Sequence, residues 1–168
     1  ALYGQALSSA LILESIDLPE RSTASLGVSV LSANAGYQHL AKNKKSSWGA
    51  SYGYTNLALA FAVIKQRQDY SRAPAYHNAD ANFRIKTSAT GMLKYYGYFS
   101  SSKLAFTTPR IDSLGYYDRF SIGNTYHYHN LSWREKVGRR FKGQVVGSYT
   151  NNKDGINSHM QDEDKKEF

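Results

Sequence analysis

"SSWGASYGYTNL", residues 46–57, alternates without a break. Trp48, Ala50, Tyr52 and Tyr54 fall on one side of an extended chain, and Gly49, Ser51, Gly53 and Thr55 on the other. Successive side chains of a strand point to opposite faces, and aromatic residues suit a half-buried pleated surface. The stretch therefore predicts a strand with one aromatic face and one face of small polar groups.

The same texture recurs on both sides of it. In "TASLGVSVLSANAGYQHL" Leu26, Val28 and Val30 share a face opposite Gly27 and Ser29. "ADANFRIKTS" sets Ala81, Phe83 and Ile85 against Asp80, Asn82, Arg84 and Lys86, and "GMLKYYGYFSSSKL" sets Leu93, Tyr95 and Phe99 against Lys94, Tyr96 and Tyr98. "DRFSIGNTYHYHNLSWREK" and "RFKGQVVGSYTNN" continue the series, the latter with Phe141, Val145 and Tyr149 on the face of Gly143 and Gly147. This reading gives about six strands, several longer than the ~9–11 residues that cross a bilayer at a tilt and longer than the usual five or six of globular sheets. Long strands with one polar and one apolar-aromatic face predict an all-β fold of antiparallel up-and-down strands, the wall of a transmembrane β-barrel.

Composition points the same way. Fourteen Tyr and seven Phe accompany two Met and three Pro, and there is no Cys. Without Cys there is no disulfide framework, thiolate metal site or thiol nucleophile. No run approaches the roughly 18 apolar residues of a spanning helix, and "LALAFAVI" (57–64) is far too short. The net charge of +8 is scattered. Its densest runs, "KNKK" (42–45) and "REKVGRRFK" (134–142), fall where turns are expected, so they read as solvated turn charges and not as the coherent basic stripe of a nucleic-acid interface.

The connections differ in length. "AKNKKS", "SATG" and "VGRR" are short, whereas 65–78 and 107–118 are long, which predicts two unlike rims with tight turns on the periplasmic side and long loops outside.

Few residues invite chemistry. His127 and His129 in "TYHYHN" stand two apart, so a strand puts both on one face, but a metal site needs further ligands and none lies nearby in sequence. They read as an ordinary strand face between Tyr126 and Tyr128. Neither G-x-S-x-G, nor paired carboxylates, nor a phosphate-binding glycine loop is present, so no enzyme activity and no cofactor is expected. "QDEDKKEF" (161–168) alternates charges without an apolar stripe and reads as a solvated loop or tail, with Phe168 not closing a barrel.

"YGQALSSALILESIDLPERSTASLGVSVLSANAGYQ" resembles the junction between plug and barrel in TonB-dependent outer-membrane receptors of the Bacteroidetes type, and the resemblance continues through "SWGASYGYTNL", "ANFRIKTSATGMLKYYGYFSSSKL" and "NTYHYHNLSWREKVG". It is one of texture and order, with no catalytic motif. It implies that 1–21 ends a plug domain, that 22–153 holds the first six or so barrel strands, and that 154–168 is a polar loop or truncated tail. It also implies that the rest of the plug, which contacts TonB, and most of a barrel of about 22 strands lie outside this chain.

The implied protein sits in the outer membrane of a Gram-negative bacterium, surrounded by lipid, and takes up a scarce nutrient: a siderophore, a cobalamin-like molecule or a glycan. Trp48, Tyr52 and Tyr54 would then belong to the interfacial aromatic girdle, and Asn82, Arg84 and Lys86 would face the plug or lumen. No ligand-binding residue is marked by a motif. Strand direction is in conflict: the resemblance starts the first strand at the periplasm, which makes "AKNKKS" external, whereas loop length makes it periplasmic. Two other readings fit the same strands. A stand-alone small barrel requires a closing strand that Asp162–Glu167 does not supply, and a soluble β-rich binding domain requires the aromatic faces to form a core.

Overall fold

In the computed structural model the described residues are 17–67, 69–110, 115–138 and 141–162. They form one antiparallel sheet of seven strands, each paired with its neighbours in sequence. The strands are β1 (Thr23–Val28), β2 (Ser32–Leu40), β3 (Ser46–Asn56), β4 (Asp69–Lys86), β5 (Met92–Pro109), β6 (Tyr116–Val137) and β7 (Phe141–Asp162), with one short helix, α1 (Ala58–Val63), between β3 and β4. The fold is all-β and up-and-down. Residues 1–16, most of the expected plug end, and the terminal 163–168, Phe168 included, lie outside the described residues.

Seven strands replace the expected six because Thr23–Leu40 folds as a hairpin and not as one strand. The turn is closed by serine alone: the N–H groups of Leu31 and Ser32 donate to Ser29 Oγ at 3.3 and 3.0 Å, the Ser29 N–H donates to the Ser32 carbonyl at 2.7 Å, and the two hydroxyls lie 2.8 Å apart. Hydroxyl-closed turns are weak sequence signals beside Gly or Pro. The second correction concerns 154–168: residues 154–162 are not a loop or tail but continue β7, with Asp154 opposite Asn124 and Met160 opposite Asp118. The long connections shrink accordingly, because 69–78 belongs to β4 and 107–109 to β5.

The ends of the strands joined by β2–β3, β4–β5 and β6–β7 share one rim, here called proximal, and the ends joined by β1–β2, β3–β4 and β5–β6 share the other, distal rim. Lys44 (φ 52°) and Gly138 (φ 66°) take left-handed conformations at the proximal turns, where glycine meets no steric penalty. At 87–91 the Glu135 carboxylate of β6 accepts from the hydroxyls of Ser88 (2.5 Å), Thr90 (3.0 Å) and Thr87 (3.3 Å), so the neighbouring hairpin is tied from the side.

The sheet is a single layer. Among the described residues only Met92 and Ala105 are buried hydrophobics. The chain exposes 13010 Å² for 18.8 kDa, against about 8,300 Å² for a compact soluble monomer of that mass. What holds it is the backbone ladder and cross-strand side-chain pairs, each worth about 0.2–1 kcal/mol.

Candidate functional site

The register sorts every strand onto two faces. Trp48 pairs with His39 and Phe83, Tyr52 with Ala35 and Ala79, and Tyr54 with Ala33 and His77, so the three girdle candidates share one apolar face. Farther along that face run Ile85, Leu93, Tyr95, Phe99, Leu131, Trp133, Val145 and Tyr149. Rings meet across strands: Tyr37–Trp48 at 5.7 Å, Phe83–Tyr95 at 5.1 Å and Tyr54–His77 at 4.7 Å. Trp48 and Tyr52 are nonetheless 52% and 49% exposed, so no described residue covers the belt.

His127 and His129 lie on this face too, side by side with aromatic partners. His127 packs on Phe99 at 4.9 Å, and His129 Nδ1 is 2.8 Å from the Tyr95 hydroxyl. His77 repeats the pairing with Tyr52 at 2.7 Å. Among the described residues no three His, Cys, Asp or Glu side chains come together as a metal site. The Tyr–His pairing across strands was missed in the sequence because it depends on register.

The opposite face is polar. Asn82 lies on it between Gly49 and Tyr96, Arg84 between Ser47 and Lys94, and Lys86 beside Met92 near the proximal rim. Gln38 and Asn82 both lean over Gly49, where a Cβ would collide with Gln38 and press on Asn82 at 3.1 Å. Ser51 donates to Asp80, and Asn124 Nδ2 reaches Asn152 and Asp154 at 2.7 and 2.6 Å. Tyrosines pair here as well, Tyr96 with Tyr128 and Tyr98 with Tyr126, centroids 6.3 and 6.2 Å apart.

Asp17 docks on this polar face. Its carboxylate meets Lys94 Nζ at 3.0 Å and the Arg134 guanidinium, on β5 and β6, whereas the chain it leads into becomes β1 at the far side of the sheet. Residues 17–22 therefore bridge from β5 and β6 to β1 from the polar side. Partial burial, the largest single influence, works to raise the Asp17 pKa, but the Lys94 hydrogen bond and the charges of Lys94 and Arg134 outweigh it and hold the carboxyl below 3.8.

Across β3 to β6 the apolar belt follows the pairing register, with Trp48, Phe83, Tyr95 and Leu131 directly opposite one another, and it departs from the register toward the two edges of the sheet. Gly27, midway between Leu26 and Val28, is linked through Asn34, Gly53, Asn78, Ser100 and Tyr126 to Asn152 on β7. On the belt face of β7 the apolar residues are Phe141, Val145 and Tyr149, centred on Val145. Between its centres on β1 and β7 the belt is displaced about seven residues toward the proximal rim; at about 3.3 Å per residue and 4.8 Å per strand this is a mean slope of about 39° from edge to edge.

Distally the faces exchange character. On the formerly apolar side, Phe99 gives way to Ser101 and Lys103, His127 to Thr125 and Ser121, and Tyr149 to Asn151, Lys153 and Asn157. On the formerly polar side Leu104, Phe106, Ile122, Phe120 and Ile156 take over. Phe106 packs on Phe120 at 5.5 Å and on Tyr70 at 6.2 Å, and Phe61 of α1 closes the cluster on Tyr70 at 4.8 Å. Comparison with known protein families, characterised proteins and solved structures gives no match for this chain.

Proposed function

We propose that this chain is a section of transmembrane β-barrel wall, with the belt face against lipid and the polar face toward a lumen. The observation that carries the reading is the oblique belt. In a barrel the strands tilt by roughly 35–45° while the bilayer stays level, so an apolar band must cross the hydrogen-bond register at that angle, and this one crosses from edge to edge at a mean of about 39°.

The exchange of faces supports the same reading. Above the bilayer the outside of a wall meets water and turns polar, while the inside is free to carry an apolar cluster; Lys103 and Lys153 stand at that boundary. The Asp17 contact supports a lumen on the polar side, since the chain leading into β1 lies there.

Within this class we infer a TonB-dependent outer-membrane transporter of a scarce nutrient, the chain supplying the end of the plug and the first strands of the wall. The extra strand removes the conflict over direction. If β1 starts at the periplasm, "AKNKKS" (41–46) is periplasmic, and 57–68, with α1, is external. The resemblance and the loop lengths then agree.

Single-cysteine accessibility tests the wall, because the chain has no Cys of its own. In reconstituted vesicles, cysteines at Leu93, Leu131 and Val145 should resist a water-soluble maleimide and those at Ser121 and Asn157 should react. Equal reaction at all five sinks the wall. Transport is tested by uptake into cells: accumulation of one among iron chelates, cobalamin or oligosaccharides that stops when the proton gradient is collapsed supports the transporter, and a wall with no such uptake removes it.

A further inference from the structure

We propose that α1, with the β1–β2 turn, is a membrane-surface anchor that seats in the headgroup and outer acyl region of the bilayer; this rests on the wall reading above. The segment "LALAFAVI" is too short to span and has no role in the wall itself, yet the structure gives it two distinct sides. Phe61 faces inward to Tyr70 and the distal aromatic cluster. Leu59 and Val63, four apart and so on one side of a helix, point away from it and are 62% and 87% exposed.

That outer side is continuous with the belt. Leu59 and Ala58 line one groove of about 300 Å³ with Val28, Val30, Leu31 and Tyr54. Because the belt is oblique, its upper edge lies farthest toward the distal rim on β1 to β3, which is where α1 sits. The helix is tied there, with the Ala58 N–H donating to Asn56 Oδ1 at 2.8 Å and the Leu57 N–H to the Pro74 carbonyl at 3.0 Å.

Charge completes the match. Lys65 and Arg67 follow the helix directly and are exposed, lining a hollow with Phe61 and Tyr70; with Leu59 and Val63 seated in the bilayer surface, this pair flanks the apolar side within reach of lipid phosphates. Apolar side chains set about 5–10 Å into the headgroup and acyl boundary, flanked by basic residues, are the pattern of an interfacial helix. Water is a poor alternative neighbour for this side, since Leu59 shares its groove with Val28 and Val30 and Val63 and Ile64 add exposed apolar surface at the end of the helix.

The test uses the full chain in vesicles of equal parts phosphatidylcholine and phosphatidylglycerol, with an environment-sensitive fluorophore on Val63→Cys, on Val145→Cys in the belt and on Asn157→Cys beyond it. Phospholipids brominated near the headgroup should lower the Val63 emission about twofold, as expected for that shallow depth, and leave the Asn157 probe unchanged. Quenching at Val145 by phospholipids brominated deep in the acyl chains, with none at Val63 by the headgroup-brominated ones, overturns the anchor and leaves the wall standing. No quenching at either position by either lipid overturns the wall and the anchor with it. A further variant, Lys65→Gln with Arg67→Gln, should weaken the Val63 quenching only when phosphatidylglycerol is present; equal quenching in vesicles of phosphatidylcholine alone removes the role of the basic pair.

Discussion

The proximal and distal halves of β5, β6 and β7 are built on the same backbone ladder and differ only in which face carries the apolar residues. Proximally, Leu93, Leu131 and Val145 point to one side, the last two well exposed; distally, Phe106, Phe120 and Ile122 point to the other, where Phe106 joins Phe120 to Tyr70 and through it to Phe61 of α1. The alternation of period two is unbroken, but its phase shifts by one residue between Phe99 and Leu104. On the wall reading, the phase shift marks a change in the solvent outside the sheet.

The largest expected effect breaks this comparison most directly. Leu131→Arg places a charge mid-belt and should destabilise the wall in lipid by about 2–4 kcal/mol, whereas Ser121→Arg, on the same face of the same strand beyond the phase shift, should change stability by about 0.5 kcal/mol or less. Urea unfolding of vesicle-inserted protein measures both. Leu131 is already 48% exposed in the isolated sheet, so if lipid is not its neighbour the arginine is nearly free. Two small and equal effects would end the membrane reading.

The distal cluster provides the converse. Phe120→Ala removes a half-buried ring from its contact with Phe106, an effect of about 1–2 kcal/mol, below the range for a fully buried Phe. Amide exchange should rise along 103–109 and 116–122 and stay unchanged in the belt. If exchange rises equally in both halves, the cluster is not a separate unit.

Which parts of this were legible in the sequence follows from the same phase shift. The strands around Trp48, Phe83, Tyr95 and Val145 were readable because local alternation alone defines their faces, and the grouping of Asn82, Arg84 and Lys86 opposite them came with it. Residues 154–162 were misread because Ile156 and Met160 are apolar on the other phase, so the segment looked patternless against the belt. The β1–β2 turn was hidden because hydroxyls close it. The slope of the belt, the Asp17 contact and the Tyr–His pairs depend on register between strands, which no single segment contains.

A smaller effect tests which face is the lumen. Because the folded Asp17 carboxyl titrates below its ordinary 3.8, its contact with Lys94 and Arg134 is fully present above that value and is lost as pH falls through the lower folded value. Near pH 7, Asp17→Asn should raise protease cleavage in 17–22, while in the parent chain the same cleavage should appear only under strongly acid conditions. Cleavage that is equal in the two chains near pH 7 would remove the ion pairs as what keeps this segment on the polar face.

The smallest effect is at the proximal rim, where the Glu135 carboxylate ties the 87–91 turn. A Cβ at Gly91 would collide with Glu135 and with Thr87 Oγ1, so Gly91→Ala must displace the flexible carboxylate that Glu135→Ala deletes. Both variants should speed amide exchange at Thr90 and Gly91, whose N–H groups also donate to Ser88 Oγ at 3.1 and 2.8 Å. Since the two changes remove one shared contact, the double variant should exchange no faster than either single one, the non-additivity expected of residues acting on the same interaction. Additive rates would mean that Gly91 and Glu135 stabilise the turn independently. Belt and distal cluster alike should be unaffected, because the tie lies proximal to both.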